Sequence, residues 1–210
     1  MAIARAGRRI AALYVETGGV YFGLPNVDPW DEERDARLYV GPWPVVAHPP
    51  CKRWGRYWSG GPSAKVRRQL GDDGGCFTAA LASVRKFGGV IEHPEASHAW
   101  LHHGLNKPPR FGGWVVADWL GGWTCCVEQG HYGHQARKAT WIYAFGCVLP
   151  SLIGGPSQGK RLEEGFHTSE ERAIARRAGV VPVKRMPKSQ LHLTPIPFRD
   201  LLISIAESAR

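Results

Sequence analysis

The stretch PVVAHPPCKRWG, residues 44–55, decides how this 210-residue chain is read. Val45 to Ala47 form an apolar run of strand length, and His48, Pro49, Pro50 and Cys51 follow at its carboxyl end. In open α/β sheets, ligands gather outside that end of the strands. Two successive prolines remove backbone donors and restrict φ, so the Cys51 thiol rides on a stiff turn. Lys52, Arg53 and Arg56 come next, and nearby positive charge favours thiolate over thiol. Cys51 is therefore a candidate nucleophile; the alternative is a proline turn that closes a core strand and happens to hold a cysteine.

The next unit downstream repeats the theme. CFTAALASVRKFGG, residues 76–89, places Phe77, Leu81 and Val84 at helical spacing, puts Arg85 and Lys86 in the last turn and stops on Gly88-Gly89. Val90 and Ile91 then begin a strand that ends in Glu92, His93 and Pro94. A strand, a crossover helix and a parallel strand would set Glu92 beside Cys51 at one sheet edge, a nucleophile next to an acid. Upstream, IAALYVETGGVYFGL, residues 10–24, reads as a strand with a turn at Gly18-Gly19. That layout brings backbone close to a nucleotide cofactor, and it equally makes an ordinary tight turn. The expected class is α/β.

Residues 25–38 hold five of the 18 acidic residues. Asp28 or Asp31 could accept a ribose hydroxyl, while most of the cluster reads as a solvated helix start. Residues 52–73 read as a basic loop whose tryptophans either stack on bases or pin the loop through Trp54 and Trp58. Residues 95–113 read as a loop; His98, His102 and His103 there lack a carboxylate or cysteine at metal-ligand spacing. WVVADWLGG reads as a helix and GWTCCVEQG as a strand. YGHQARKATWIYAFG, residues 132–146, is a polar loop followed by a strand from Trp141 to Phe145, with Gln135, Arg137 and Lys138 placed to grip a base or phosphate, or to form a solvated hairpin end. After Pro150 comes a linker-like segment. A helix with a capping box, Thr168 with Glu171, follows; it stops at Gly179 and shows a basic face of Arg172, Arg176 and Arg177. VVPVKRMPKSQLHL reads as strand and loop. Pro197 opens a last helix whose Phe198, Leu201, Leu202 and Ile205 form one apolar face.

The formal charge is +9, and nine tryptophans accompany it. A basic, aromatic surface suits a polyanion, nucleic acid being the commonest, though the excess charge can also serve solubility alone. Five cysteines, no signal peptide and no apolar run near the roughly 18 residues of a membrane span indicate a reducing, cytoplasmic setting. Cys125 and Cys126 are adjacent, so no disulfide framework has its usual spacing. A zinc site from Cys125, Cys126, His131 and His134 is a third reading.

In series, these pieces resemble a compact relative of the carbon-5 cytosine DNA methyltransferases. LYVETGGV resembles that family's cofactor-binding opening, HPPC its Pro-Pro-Cys nucleophile loop, VIEHP its Glu-Asn-Val element, YGHQARKATWIYAFG its Gln-x-Arg-x-Arg element and TPIPFRDLLISIAESA its closing helix. Short phage-borne methylase-like proteins are similar. The resemblance implies a Rossmann-like class I methyltransferase fold, with a single mixed, mostly parallel sheet flanked by helices. It implies a catalytic domain over 1–149, a small basic insert over 150–190 in place of a recognition domain, and a C-terminal helix over 191–210 that packs back on the first part.

By the same resemblance, Cys51 attacks carbon-6 of a pyrimidine, Glu92 holds or protonates the ring nitrogen, and Gln135 and Arg137 position the nucleotide. S-adenosylmethionine supplies the methyl group, held by Tyr14, Thr17, Gly18, Gly19, Asp28 and Pro49. DNA is the partner, as a duplex with the base flipped out or as a single strand, gripped by Lys52, Arg53, Arg56, Lys138, Arg172 and Arg176. Several positions depart from the family. Glu16 stands at the first cofactor-loop glycine, where its charge opposes the cofactor's carboxylate; His93 and Pro94 replace Asn and Val; Ala139 replaces the second arginine. These departures leave open a different one-carbon donor, a free nucleotide substrate, or a non-catalytic DNA-binding protein on a methylase scaffold.

Overall fold

The structure is a computed structural model that describes residues 8–55, 57–60, 65–66, 68–158, 173–174, 177–179 and 192–210. Short β-branched and alanine-rich runs give buried strands. β1 (Ile10–Leu13) and β3 (Val45–Ala47) are wholly buried, and β4 (Gly89–Pro94) is buried over its first half. With β2 (Val27–Trp30), β5 (Val115–Val116), β6 (Trp123–Glu128) and β7 (Ala139–Phe145) they make one seven-stranded sheet of order β2-β1-β3-β4-β7-β6-β5. β2, β1, β3 and β4 are parallel; β7 runs against both β4 and β6, and β5 against β6. The class is thus α/β with a mixed sheet, mostly parallel at one end and compatible with a Rossmann-like arrangement.

Alternation along the strands sorts the core into two faces. Ala11, Leu13, Val45, Ala47, Ile91, Trp141 and Tyr143 pack with helix α1 (Cys76–Phe87) through Phe77, Ala80, Leu81 and Val84. Ile10, Ala12, Val46, Val90, Ile142 and Ala144 pack with helix α3 (Ile196–Glu207) through Phe198, Leu202, Ile205 and Ala206. Each such large apolar side chain contributes about 1.5–3 kcal/mol on burial. Asp73 starts α1 by accepting from Gly75 N at 2.9 Å and Phe77 N at 2.9 Å, and it also takes Trp54 Nε1 at 2.7 Å. Gly89 lets β4 approach β3: with φ at +127°, a Cβ there would lie 1.9 Å from the Val45 carbonyl oxygen.

Several local expectations are corrected. Residues 27–30 form an edge strand rather than a helix start, since among the described residues β2 pairs with β1 alone and an edge tolerates Pro29; a 3-10 turn follows at Ala36–Leu38. Val115 and Val116 form a strand, not a helix. Asp118 Oδ1 accepts from Leu120 N and Gly122 N, both at 3.0 Å, so turn chemistry overrides the apolar spacing. Residues 95–113 are not all loop: helix α2 (His98–His102) begins where Ser97 Oγ accepts from Ala99 N at 3.1 Å. The capping box of Thr168 with Glu171, the strand expected over 180–191, and most of the 150–190 insert lie outside the described residues. Among the described residues no helix is long and apolar enough to cross a membrane.

Candidate active site

The carboxyl ends of the parallel strands open onto one cavity of about 740 Å³. Its walls come from four consecutive structural positions: Tyr14–Glu16 and Gly18–Tyr21 after β1, His48–Cys51 after β3, Glu92–Pro94 at the end of β4, and Lys138–Ala139 at the start of β7. His192, Leu193 and Thr194, just ahead of α3, close one side. The β3–β4 pairing of Ala47 with Ile91 explains why Cys51 and Glu92 arrive together, since each follows its pair within a few residues.

Glu92 is bound through both carboxylate oxygens. Its Oε2 lies 3.0 Å from His48 Nδ1, and its Oε1 accepts from Gln129 Nε2 at 3.1 Å. His48 Nε2 in turn lies 2.8 Å from the Tyr21 hydroxyl. Gln129 also donates to Thr140 Oγ1 at 2.9 Å. Burial alone would raise the Glu92 carboxyl, but the hydrogen bond and charge of His48, with the charge of Lys138, outweigh it and hold Glu92 below the usual carboxylate range. Glu92 therefore rests as a carboxylate.

The thiol behaves otherwise than its neighbours in sequence suggest. Burial first, and then the Glu92 charge, push the Cys51 thiol up; Lys138 pulls it down without prevailing. Lys52 is exposed, Arg53 turns to the Trp58 carbonyl at 3.2 Å, and Arg56 lies outside the described residues. The thiolate expected from the basic run is thus corrected to a resting thiol, because burial outweighs charges that point elsewhere. Lys138 is lowered, chiefly by burial, against the raising charges of Glu92 and Cys51. Its Nζ donates to the Leu193 carbonyl at 3.1 Å, tying the 192–194 segment across the cavity. His93 is 1% exposed and sits against Phe77 and Trp100. Burial depresses it to about 4, and it stays neutral; the Pro50 carbonyl acts on its ring only from outside ordinary hydrogen-bond geometry.

No protein-family model, curated protein or solved structure matches the chain.

Of the residues singled out in the sequence, Tyr14, Gly18, Gly19, Pro49, Cys51, Glu92 and Lys138 meet at the cavity. Others do not line it. Thr17 Oγ1 donates to Asp31 at 2.8 Å, and Asp28 takes Trp30 Nε1 at 2.8 Å and Arg34 at 2.7 Å. Gln135 is exposed in the β6–β7 connection and Arg137 is half-buried there. The neck of that hairpin, where Gln129 N donates to the Lys138 carbonyl at 3.2 Å, presents Gln129 and Lys138 to the site instead. Arg172 and Arg176 lie outside the described residues. Trp54 is 2% exposed and pins its loop rather than offering a face to a base. Cys125 and Cys126 pack into opposite faces of the sheet, as neighbours on a strand must, so the zinc set is not assembled. Tyr21, His48 and Gln129 were the contributors missed. His48 stood in the deciding stretch, and Gln129 is the first amide after an apolar strand, but their shared carboxylate is visible only in three dimensions.

Proposed function

We infer that the protein modifies carbon-5 of a pyrimidine in DNA through a covalent Cys51 adduct, with cytosine methylation as the first reaction to test. The observation that carries this reading is the meeting of Cys51, Glu92 and Lys138 on one cavity beside the Gly18-Gly19 turn. A half-buried thiol on the same cavity wall as a hydrogen-bonded carboxylate suits addition across an electron-poor ring better than it suits structural packing. The resemblance to cytosine methyltransferases supports the same assignment, as does the net charge of +9 for a polyanionic substrate. In this reading Cys51 Sγ attacks carbon-6, Glu92 holds the ring nitrogen and its exocyclic amino neighbour, and Lys138 offers a donor to the carbonyl oxygen on carbon-2. A base within a duplex would reach this recessed cavity only out of its stack.

The family's donor is S-adenosylmethionine, which would supply a methyl group to the activated carbon-5. The residues present do not fit that donor held in the family's manner. Glu16 puts a carboxylate on the wall, the Thr17 hydroxyl is committed to Asp31, and Asp28 is committed to Arg34 and Trp30. No step here depends on that donor, and these contacts favour a second reading in which the same nucleophile serves a different one-carbon donor.

Mass spectrometry of DNA incubated with protein and labelled S-adenosylmethionine separates the two. Label on cytosine that disappears in Cys51→Ser supports methylation. Capture of a 5-fluorocytosine oligonucleotide without the cofactor supports the other donor. Salt-dependent DNA binding that survives Cys51→Ala, with neither label nor capture, overturns both and leaves a binding protein.

A further inference from the structure

We propose that Tyr21 and His48 form a relay that stores a proton for Glu92, so that the carboxylate can protonate the ring nitrogen of a pyrimidine as Cys51 attacks it. The inference rests on the covalent reading above and deepens it by assigning the source of the proton.

The need for a source comes from the site itself. When a nucleophile adds to carbon-6 of cytosine, the C5=C6 pair moves to form C4=C5, the N3=C4 pair moves onto N3, and N3 takes a proton. Glu92, held as a carboxylate, has none of its own to give. His48 Nδ1 is 3.0 Å from Glu92 Oε2, and the two side chains are only 14% and 12% exposed, so a proton can pass between them without water. An imidazolium beside a carboxylate is one proton transfer away from an imidazole beside a carboxylic acid.

Tyr21 steadies the donor. Its hydroxyl, 2.8 Å from His48 Nε2, accepts from the ring N–H both in the imidazolium and after Nδ1 has given its proton to Glu92. Burial, with the Glu92 charge, pushes the Tyr21 phenol far above its ordinary value, so it stays un-ionised throughout. The His48 backbone is fixed by its N–H donating to the Leu13 carbonyl at 3.0 Å. The remaining charged or titratable groups acting on this chain of contacts are His93 and Lys138 on Glu92, Cys51 beside it, and Arg199 and Asp200 on Tyr21. Over the step the Sγ–C6 bond forms, the thiol proton leaves to water, and the His48 Nδ1 proton passes through Glu92 to N3, leaving His48 neutral and Glu92 a carboxylate again.

The test is the rate of adduct formation between the full chain and an oligonucleotide containing 2-pyrimidinone, followed by mass across pH 5–9. Wild type is expected to slow toward high pH, where the site has no proton left to pass to N3. His48→Gln, which keeps an amide donor for Glu92 but carries no mobile proton, is expected to move that falling limb to lower pH and to slow the reaction about 100-fold near pH 7. Tyr21→Phe, a smaller change, moves the limb in the same direction by less, since it strands the imidazolium N–H. Adduct in wild type with an unshifted limb in both variants overturns the relay alone; a uniform slowing without a shift does the same and leaves His48 a packing residue. No adduct in wild type overturns the covalent reading and the relay with it.

Discussion

Replacing Gly89 by alanine tests whether the β3–β4 contact holds the site together. The new Cβ would meet the Val45 carbonyl oxygen at 1.9 Å, Val45 N at 2.6 Å and Val45 C at 2.8 Å, all backbone atoms of a buried strand. No rotamer relieves such a clash, so β3 must retreat until the contact reaches roughly 3 Å. Positive φ on a residue with a side chain adds about 1–2 kcal/mol. Displacing β3 weakens a ladder in which Val45, Val46 and Ala47 pair with Gly89, Val90 and Ile91. At about 1 kcal/mol for each backbone hydrogen bond lost, the total comes to roughly 4–5 kcal/mol, a large part of a typical domain's stability. Gly18→Ala is the matched control: φ is +68° and nothing lies within 4 Å of the added Cβ, so only the backbone term of about 1 kcal/mol remains. Urea unfolding followed by tryptophan fluorescence measures both. Equal, small losses in the two variants would refute the reasoning. So would a Gly89→Ala protein that unfolds like wild type.

Other outcomes follow from the electrostatics. Asp118 is 3% exposed at its side chain and takes Arg85 at 2.8 Å and the Tyr143 hydroxyl at 2.9 Å; burial opposes its ionisation, but these contacts win and hold it below the usual carboxylate range. Its contribution is complete above the ordinary carboxylate value and is lost as pH falls through the depressed folded value. Asp118→Asn should cost about 2–3 kcal/mol at pH 7 in denaturant unfolding and flatten the decline of stability in acid. Cys51 should react slowly with iodoacetamide at pH 7 and speed up as pH rises past 9, faster in Glu92→Gln and slower in Lys138→Met, with mass spectrometry locating the label. A chelator should leave the melting temperature unchanged, as Cys125 and Cys126 face opposite ways.

The parts legible in the sequence were those with local causes. An apolar run followed by Pro49 and Pro50 located β3 and its turn, helical spacing from Phe77 to Val84 located α1, and Phe198, Leu202 and Ile205 located α3. The pairing of Cys51 with Glu92 was legible because a strand, helix and strand unit leaves one arrangement. What escaped depends on distant partners. His48 meets Tyr21 27 positions away and Glu92 44 positions away, and Gln129 reaches Glu92 across 37. The charge around Cys51 was misjudged for a related reason: adjacency in sequence put Lys52 and Arg53 beside the thiol, whereas the fold leaves Lys52 exposed, turns Arg53 to the Trp58 carbonyl and leaves burial in control. Val115 and Val116 mimicked a helix because an Asp118 turn and helical spacing draw on the same residues over so short a run.

Every strand of the sheet is encoded before α3, yet α3 packs over β1, β3 and β4 on one face of it. During synthesis, Ile10, Val46, Val90 and Ile142 must wait with a greasy surface uncovered until the last helix emerges from the ribosome. Loss of that helix to an early stop codon would leave a sheet that recruits chaperones or clumps with its own copies, even though Cys51 and Glu92 had both already been made.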